Sequence, residues 1–252
     1  MSEIKRIEKI QKILYENISE EYDKHYSDKY SEMYRNIFIN NPMFKNIDLS
    51  GKVVLEAMCG SGLTTKYLLS KGAQVVGLDL NSEFISSFKK KFPDCETIES
   101  SIFDLKINEK FDCVVISNGL HHLQPEIDRA IDIIYDSLKP LGFFCFTDPH
   151  EGSIPNFFRK LWYKCDKYCG ENSDSLALSD LYKKNRTRFQ FLKKKYSGTI
   201  AHLFVFNSMA FGIPYRIKKM YAPLFIFLEK IIDKFQSPFT SCITVQVWQK
   251  RN

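Results

Sequence analysis

The chain has 252 residues, of which 44% are apolar, and carries a formal charge of +6. That length allows one α/β domain with additions, or at most two small domains, with enough apolar matter for a sizeable core. The excess charge is scattered in short lysine runs such as 89–91 and 193–195, which read as solvated faces rather than a nucleic-acid footprint.

No apolar run reaches the roughly 18–20 residues of a membrane span. The nearest, 201–214 and 221–232, are short and interrupted by Asn207, Pro223 and Glu229. The first residues are charged and lack the apolar centre of a signal peptide. The seven cysteines are odd in number, and several fall in expected core strands. Both points favour a reducing, cytoplasmic setting. Cys165 and Cys169 are separated by three residues, not the two of common zinc sites, so no metal is expected.

Residues 4–18 alternate Ile and Leu with Lys and Glu at helical spacing. Tyr22, Tyr26, Tyr30 and Tyr34 then recur every four residues along one helical face. Such a stripe either packs on the domain or lends hydroxyls, Tyr22 first, to the cap of a ligand pocket. Asn40-Asn-Pro42 is expected to end this helical cap, which spans residues 1–45.

From Gly51 the pattern alternates strictly. Expected strands at 53–57, 74–78, 96–99, 111–117 and 142–147 are separated by expected helices at 63–71, 83–91 and 126–138. Strands alternating with helices imply a parallel sheet with right-handed crossovers, here over a core of residues 46–150. Ligands of such sheets lie at the carboxyl ends of the strands. Glu56, Asp79, Ser101, Asn118 and Asp148 stand at those ends. In residues 151–252 the regularity loosens into a helix expected over 154–169, an alternating stretch at 188–196, a Phe-rich helical insertion at 199–235 and a closing period-2 strand at 242–248. All of this reads as one domain.

The chemistry gathers on Val53-Val-Leu-Glu-Ala-Met-Cys-Gly-Ser-Gly62, a buried strand running into a glycine turn and then a helix. Such a turn lets backbone approach a nucleotide-type cofactor. A dinucleotide fingerprint needs a third glycine where this chain has Thr65, and a pyrophosphate would be repelled by Glu56. The amino-acid end of S-adenosylmethionine tolerates that charge, and Asp79 can accept both ribose hydroxyls.

Those residues resemble the class I S-adenosylmethionine-dependent methyltransferases over roughly residues 15–150 and the closing strand. Leu55-Glu-Ala-Met-Cys-Gly-Ser-Gly62 resembles the family's first motif, Val75-Val-Gly-Leu-Asp79 the second and Ser100-Ser-Ile-Phe-Asp-Leu105 the stretch that flanks adenine. Residues 111–123, which hold Asn118, His121 and His122, resemble the fourth motif, and 137–144 the turn after it. The resemblance implies a Rossmann-like, seven-stranded, mostly parallel sheet with an antiparallel C-terminal strand, N-terminal helices and a helical insertion before the last strand. It implies S-adenosylmethionine as cofactor, held by Tyr22, Glu56, Ala57, Met58, Gly60, Gly62, Asp79, Leu80, Ser101, Ile102, Phe103 and Asn118. The chain departs from the pattern at Met58, where the family's first glycine usually stands, and at Ser101, where an acid often binds adenine.

Methyl transfer from a sulfonium is largely a matter of positioning, with a base needed where the nucleophile must lose a proton. His121, His122 and His150 are the candidate bases; the alternative for each is a structural histidine bonded to backbone. The expected acceptor is a polar or anionic small molecule. The Lys-, Ile-, Phe- and Asn-heavy composition fits an AT-rich bacterial genome, for which a sugar, nucleotide-linked or surface-polysaccharide precursor is the acceptor class by association. No nucleic-acid partner is expected. For the 199–235 insertion, a pocket lid or homodimer face is preferred to a shallow membrane contact, because its basic run (Arg216, Lys218, Lys219) is short. A non-catalytic S-adenosylmethionine-binding module and a nucleic-acid methyltransferase stay open as alternatives.

Overall fold

A computed structural model describes residues 3–163 and 175–252. The Cys165–Cys169 spacing and the outer part of the helix expected over 154–169 lie outside the described residues.

Seven strands form one sheet: β1 (Val53–Ala57), β2 (Gln74–Asp79), β3 (Glu96–Glu99), β4 (Phe111–Ser117), β5 (Leu138–Pro149), β6 (Phe189–Ser197) and β7 (Ile243–Lys250). Their order is β3-β2-β1-β4-β5-β7-β6. The first five strands run parallel, and β7 is antiparallel to both β5 and β6. The expected seven-stranded, mostly parallel sheet is therefore present, with a helical insertion before its last strand.

Side-chain alternation splits the core in two. Val54, Cys113 and Val115 turn to one face, and Leu55, Val114 and Ile116 to the other. Strands covered on both faces must be apolar throughout, which is why β1 and β4 read as continuous hydrophobic runs. Helices α4 (Thr65–Ser70) and α5 (Ser82–Lys91) follow β1 and β2 and send Leu68, Ile85 and Phe88 into the first face. Helix α6 (Ile127–Ser137) follows β4 and buries Ala130, Ile131 and Ile134 on the second. With right-handed crossovers, that change of face places a topological switch between β1 and β4.

Before the sheet come α1 (Glu3–Tyr26), α2 (Lys29–Arg35) and α3 (Asn41–Phe44). The tyrosine stripe is not on one helix, because Asp28 interrupts it. Its carboxylate accepts the Tyr30 and Ser31 N–H groups and starts α2 afresh. Asn40-Asn-Pro42 does not end the helical region either. A single wide turn at Asn36–Asn40 leads directly into α3, whose first turn takes Pro42 without losing a hydrogen bond. Strand β5 is longer than expected, since Leu138 already pairs with Phe111. Beyond β5 lie α7 (Ile154–Tyr163), α8 (Leu178–Asn185) and, inside the insertion, α9 (Tyr215–Ile232).

Candidate active site at the carboxyl edge of the sheet

The glycine turn after β1 is fixed from three sides. Met58, Gly60 and Gly62 all have positive φ, at 55°, 53° and 83°. For Gly60 and Gly62 this is unstrained, but for Met58 the left-handed conformation is one that side chains avoid. That is the physical reason a glycine suits position 58. The Met58 side chain lies over Gly119, with its sulfur 3.1 Å from where a Cβ there would stand. The turns after β1 and β4 thus meet at the switch point. A Cβ at Gly62 would lie 2.5 Å from Phe92 and 2.9 Å from Phe88, so α5 packs on the turn only because residue 62 is glycine.

Glu56 is buried beneath this turn rather than exposed to a ligand. One carboxylate oxygen accepts the Thr64 N–H at 3.2 Å, and the other accepts the Thr65 hydroxyl. Position 65, where a dinucleotide site would need glycine, here supplies the donor that holds the acid. Burial pushes the Glu56 carboxyl up to about 7, against the pull of these hydrogen bonds. Asp79 ends β2 beside the turn, its Oδ2 accepting the Gly60 N–H at 2.8 Å and its Oδ1 the Asn81 N–H at 2.9 Å. Burial raises its pKa, and backbone N–H groups of Asn81, Gly60 and Leu80 pull it back.

The remaining predicted cofactor residues take different roles. Ala57 is buried in the second core face and offers only backbone to the edge. Leu80 is half-buried, while Ile102 and Phe103 form a buried apolar wall after β3. Ser101 caps the short turn that follows, its hydroxyl accepting the Phe103 N–H and bonding the Glu8 carboxylate of α1. Asn118 holds positive φ (55°), and its N–H donates to the Thr147 carbonyl at 2.7 Å, tying the β4 turn to β5. Tyr22 packs against Tyr15 and Phe84.

Helix α1 lies across this edge. The Asn81 side-chain amide donates to the Lys12 carbonyl, Gln11 donates to the His122 carbonyl, and Tyr15 bonds the His122 ring. At its far end Asp23 accepts from Lys91 at 2.6 Å and from Ser61 in the glycine turn. Sequence reasoning misses Glu8, Gln11, Tyr15 and Asp23. The helical period of 4–18 signals an amphipathic helix but not which surface it covers.

The three candidate bases separate. His121 Nδ1 bonds the Asp148 carboxylate, whose other oxygen accepts the Leu120 N–H at 2.9 Å. Asp148 is fully buried, so this pairing fixes the imidazole with Nδ1 protonated and Nε2 as its basic nitrogen. His122 stacks on His121 with ring centres 4.0 Å apart and reaches toward Tyr15. His150 is not at the pocket mouth as expected. It is buried between β5 and β7, its Nδ1 donating to the Glu151 carbonyl at 3.0 Å and its Nε2 bonding the Ser241 hydroxyl at 2.9 Å. Burial lowers its pKa, so it is a neutral structural histidine. Asp148 replaces it in the site. Parallel pairing of Ser117 with Thr147 brings residues 121 and 148 together, and the strand-end position of Asp148 is the signal for it in the sequence.

An S-adenosyl group fits this donor set. Asp79 offers a half-buried carboxylate to a diol, the 58–62 turn brings backbone close through its positive-φ glycines, and Leu80, Ile102 and Phe103 offer an apolar wall to a flat ring. A phosphate would meet the buried Glu56 and half-buried Asp79 carboxylates, and Lys91 across the turn is already paired with Asp23.

Residues 54–142 match the family described as a methyltransferase domain. The chain is 35% identical over 112 residues to an uncharacterised methyltransferase of Synechocystis, an alignment covering 43% of this chain and 53% of that one. It is 35% identical over 105 residues to a malonyl-[acyl-carrier protein] O-methyltransferase of Calditerrivibrio nitroreducens, covering 41% and 40%. The chain thus spans about half the length of these curated relatives. In fold it resembles the 1,6-didemethyltoxoflavin-N1-methyltransferase of Burkholderia thailandensis, solved with S-adenosylhomocysteine bound. The TM-score is 0.62 at 13% identity, over 100% of this chain and 92% of that one.

Proposed function

Since residues 54–142 form a methyltransferase domain of the S-adenosylmethionine-dependent, Rossmann-like kind, we propose that the chain transfers a methyl group from S-adenosylmethionine to a small-molecule acceptor. The acceptor loses a proton to His121. When bound, the cofactor supplies a methyl group activated on a sulfonium. The turn of residues 58–62, Asp79, Leu80, Ile102 and Phe103 hold it, and α1 excludes water from above.

The observation that carries this reading is the His121–Asp148 pair, set at the carboxyl ends of the neighbouring strands β4 and β5, beside the switch point. Asp148 holds Nδ1, which leaves Nε2 to take the acceptor's proton as the new bond to the methyl group forms. Asp148 stabilises the imidazolium that results. A polar acceptor such as a sugar or surface-polysaccharide precursor is the proposed class, since it carries hydroxyls that need such a base.

Calorimetric titration with S-adenosylhomocysteine tests the cofactor half. Wild-type chain should bind, and Asp79→Ala should bind at least about tenfold more weakly, as expected for loss of charge-assisted hydrogen bonds. Equal binding by the variant, or preference for a nicotinamide dinucleotide, would contradict the assignment.

A further inference from the structure

The insertion carries a surface that the proposed reaction does not use. Among the described residues, Met220 and Phe235 are each 80% exposed and Phe239 is 66% exposed. At 100° per residue, Ile217, Met220, Leu224, Phe227 and Ile231 of α9 fall within an arc of about 80°. That stripe stands opposite Ala222, Ile226 and Glu229, which face the protein. It is the reverse of a surface helix's usual pattern, since α9 is apolar on the side turned to solvent as well. The patch extends beyond the helix. The Phe239 carbonyl accepts the Ile154 N–H at 2.9 Å, so the first turn of α7, with its exposed Phe157 and Phe158, adjoins the segment that follows α9. So many large exposed apolar side chains along one helix and the segment after it mark an interaction site.

Charge identifies the partner. Arg216, Lys219, Lys230 and Lys234 are exposed and lie along one flank of the stripe, from one end of the helix to the other. The only acids of residues 198–242, Glu229 and Asp233, are turned inward. Glu229 accepts from Thr199 and the Ala201 N–H, and Asp233 pairs with Lys195 at 2.6 Å. Lys218, counted in the basic run on sequence grounds, is buried against Asp28 at 2.6 Å and adds nothing to the face. The basic flank is nevertheless long, because Lys230 and Lys234 extend it. A twofold copy laid antiparallel along the stripe would set basic flank against basic flank.

We infer that the α9–α7 face docks the protein on an anionic lipid bilayer, with its phenylalanines and Met220 in the acyl boundary and its lysines among the headgroups. No helix among the described residues is long and apolar enough to cross a membrane, so the contact is interfacial. Phe239 precedes Ile243, which pairs with Pro149 next to Asp148, so docking turns the β5 end of the catalytic edge toward the lipid.

Flotation of the full chain with vesicles tests this, with no cofactor or acceptor present, so its failure is distinct from failure of the proposed reaction. The chain should float with phosphatidylcholine–phosphatidylglycerol vesicles and not with phosphatidylcholine alone, and high salt should release it. Lys219→Glu/Lys230→Glu should weaken binding at least about tenfold. Met220→Ser/Phe235→Ser/Phe239→Ser should do the same with unfolding temperature unchanged, because these side chains are exposed. Three outcomes would overturn the assignment: no flotation of wild-type chain, equal binding to both vesicles, or a solution dimer that the triple serine variant converts to monomer. The last would give the face to a second copy.

Discussion

Glu56 couples the stability of the fold to pH. Its folded-state value of about 7 lies above the ordinary carboxyl value of 4.5, so the folded state holds this proton more tightly than the unfolded chain does. The stability it confers is complete below pH 4.5 and is lost as pH rises to about 7, a difference on the order of 3 kcal/mol. Denaturant titrations of wild type and Glu56→Gln at pH 5 and pH 8 should show the wild type losing stability between them and the variant losing much less; parallel losses would contradict this. The glycine turn makes a second contrast. Gly62→Ala forces a Cβ into Phe92 and Phe88 at positive φ and should cost about 2–4 kcal/mol. Met58→Gly relieves a left-handed methionine and should change stability by less than about 1 kcal/mol, visible as two well-separated thermal midpoints.

Helix α1 behaves as a strap rather than a core element. Of its 24 residues only Ile4 and Ile7 are fully buried, and it is held at the surface by half-buried aromatics (Tyr15 and Tyr22 on Phe84, Tyr26 on Phe206) and by polar contacts to the loops it crosses. An element held mostly by half-buried contacts opens at lower free energy than the core. The Asp23–Lys91–Ser61 clasp closes its C-terminal end over the glycine turn. Asp23→Ala should therefore raise the dissociation rate of S-adenosylhomocysteine several-fold in stopped-flow measurements. Global stability should move by less than about 1 kcal/mol, as for other partly exposed ion pairs. An unchanged rate would show that ligand exit does not require α1 to lift. The joint behind this strap is fixed by the buried Lys218–Asp28 pair, which ties α9 to the start of α2. The strap and the lipid-facing helix share that anchor.

At the scale of the whole molecule, the sheet is legible because parallel strands write themselves as short apolar runs ending in polar residues. Pattern alone puts Glu56, Asp79, Ser101 and Asp148 on one edge. It does not say which side chains that edge brings together. His121 and Asp148 are 27 residues apart, and only the Ser117–Thr147 pairing makes them neighbours. His150 looks equally well placed in the sequence, but antiparallel addition of β7 beside β5 buries it against Ser241. Its strand-end position points Glu56 toward a ligand, whereas its partners, Thr64 and Thr65, lie in the next element. The insertion has no period that distinguishes a core helix from one with two apolar faces, so the exposure of Met220 and Phe227 is set only by packing. In each case the hidden term is a long-range contact, which local pattern does not encode.

Labelled methyl transfer from S-adenosylmethionine to a metabolite extract, measured for wild type, His121→Ala and Asp148→Asn, bears most directly on the proposed reaction. Each variant should lose about 100-fold or more in transfer, in line with removal of a positioned base or of the group that fixes its tautomer. Calorimetric affinity for S-adenosylhomocysteine should stay within about threefold of wild type, since neither side chain is assigned to holding the cofactor. Transfer at the wild-type rate in both variants would contradict the assignment of His121 and Asp148 as the catalytic pair.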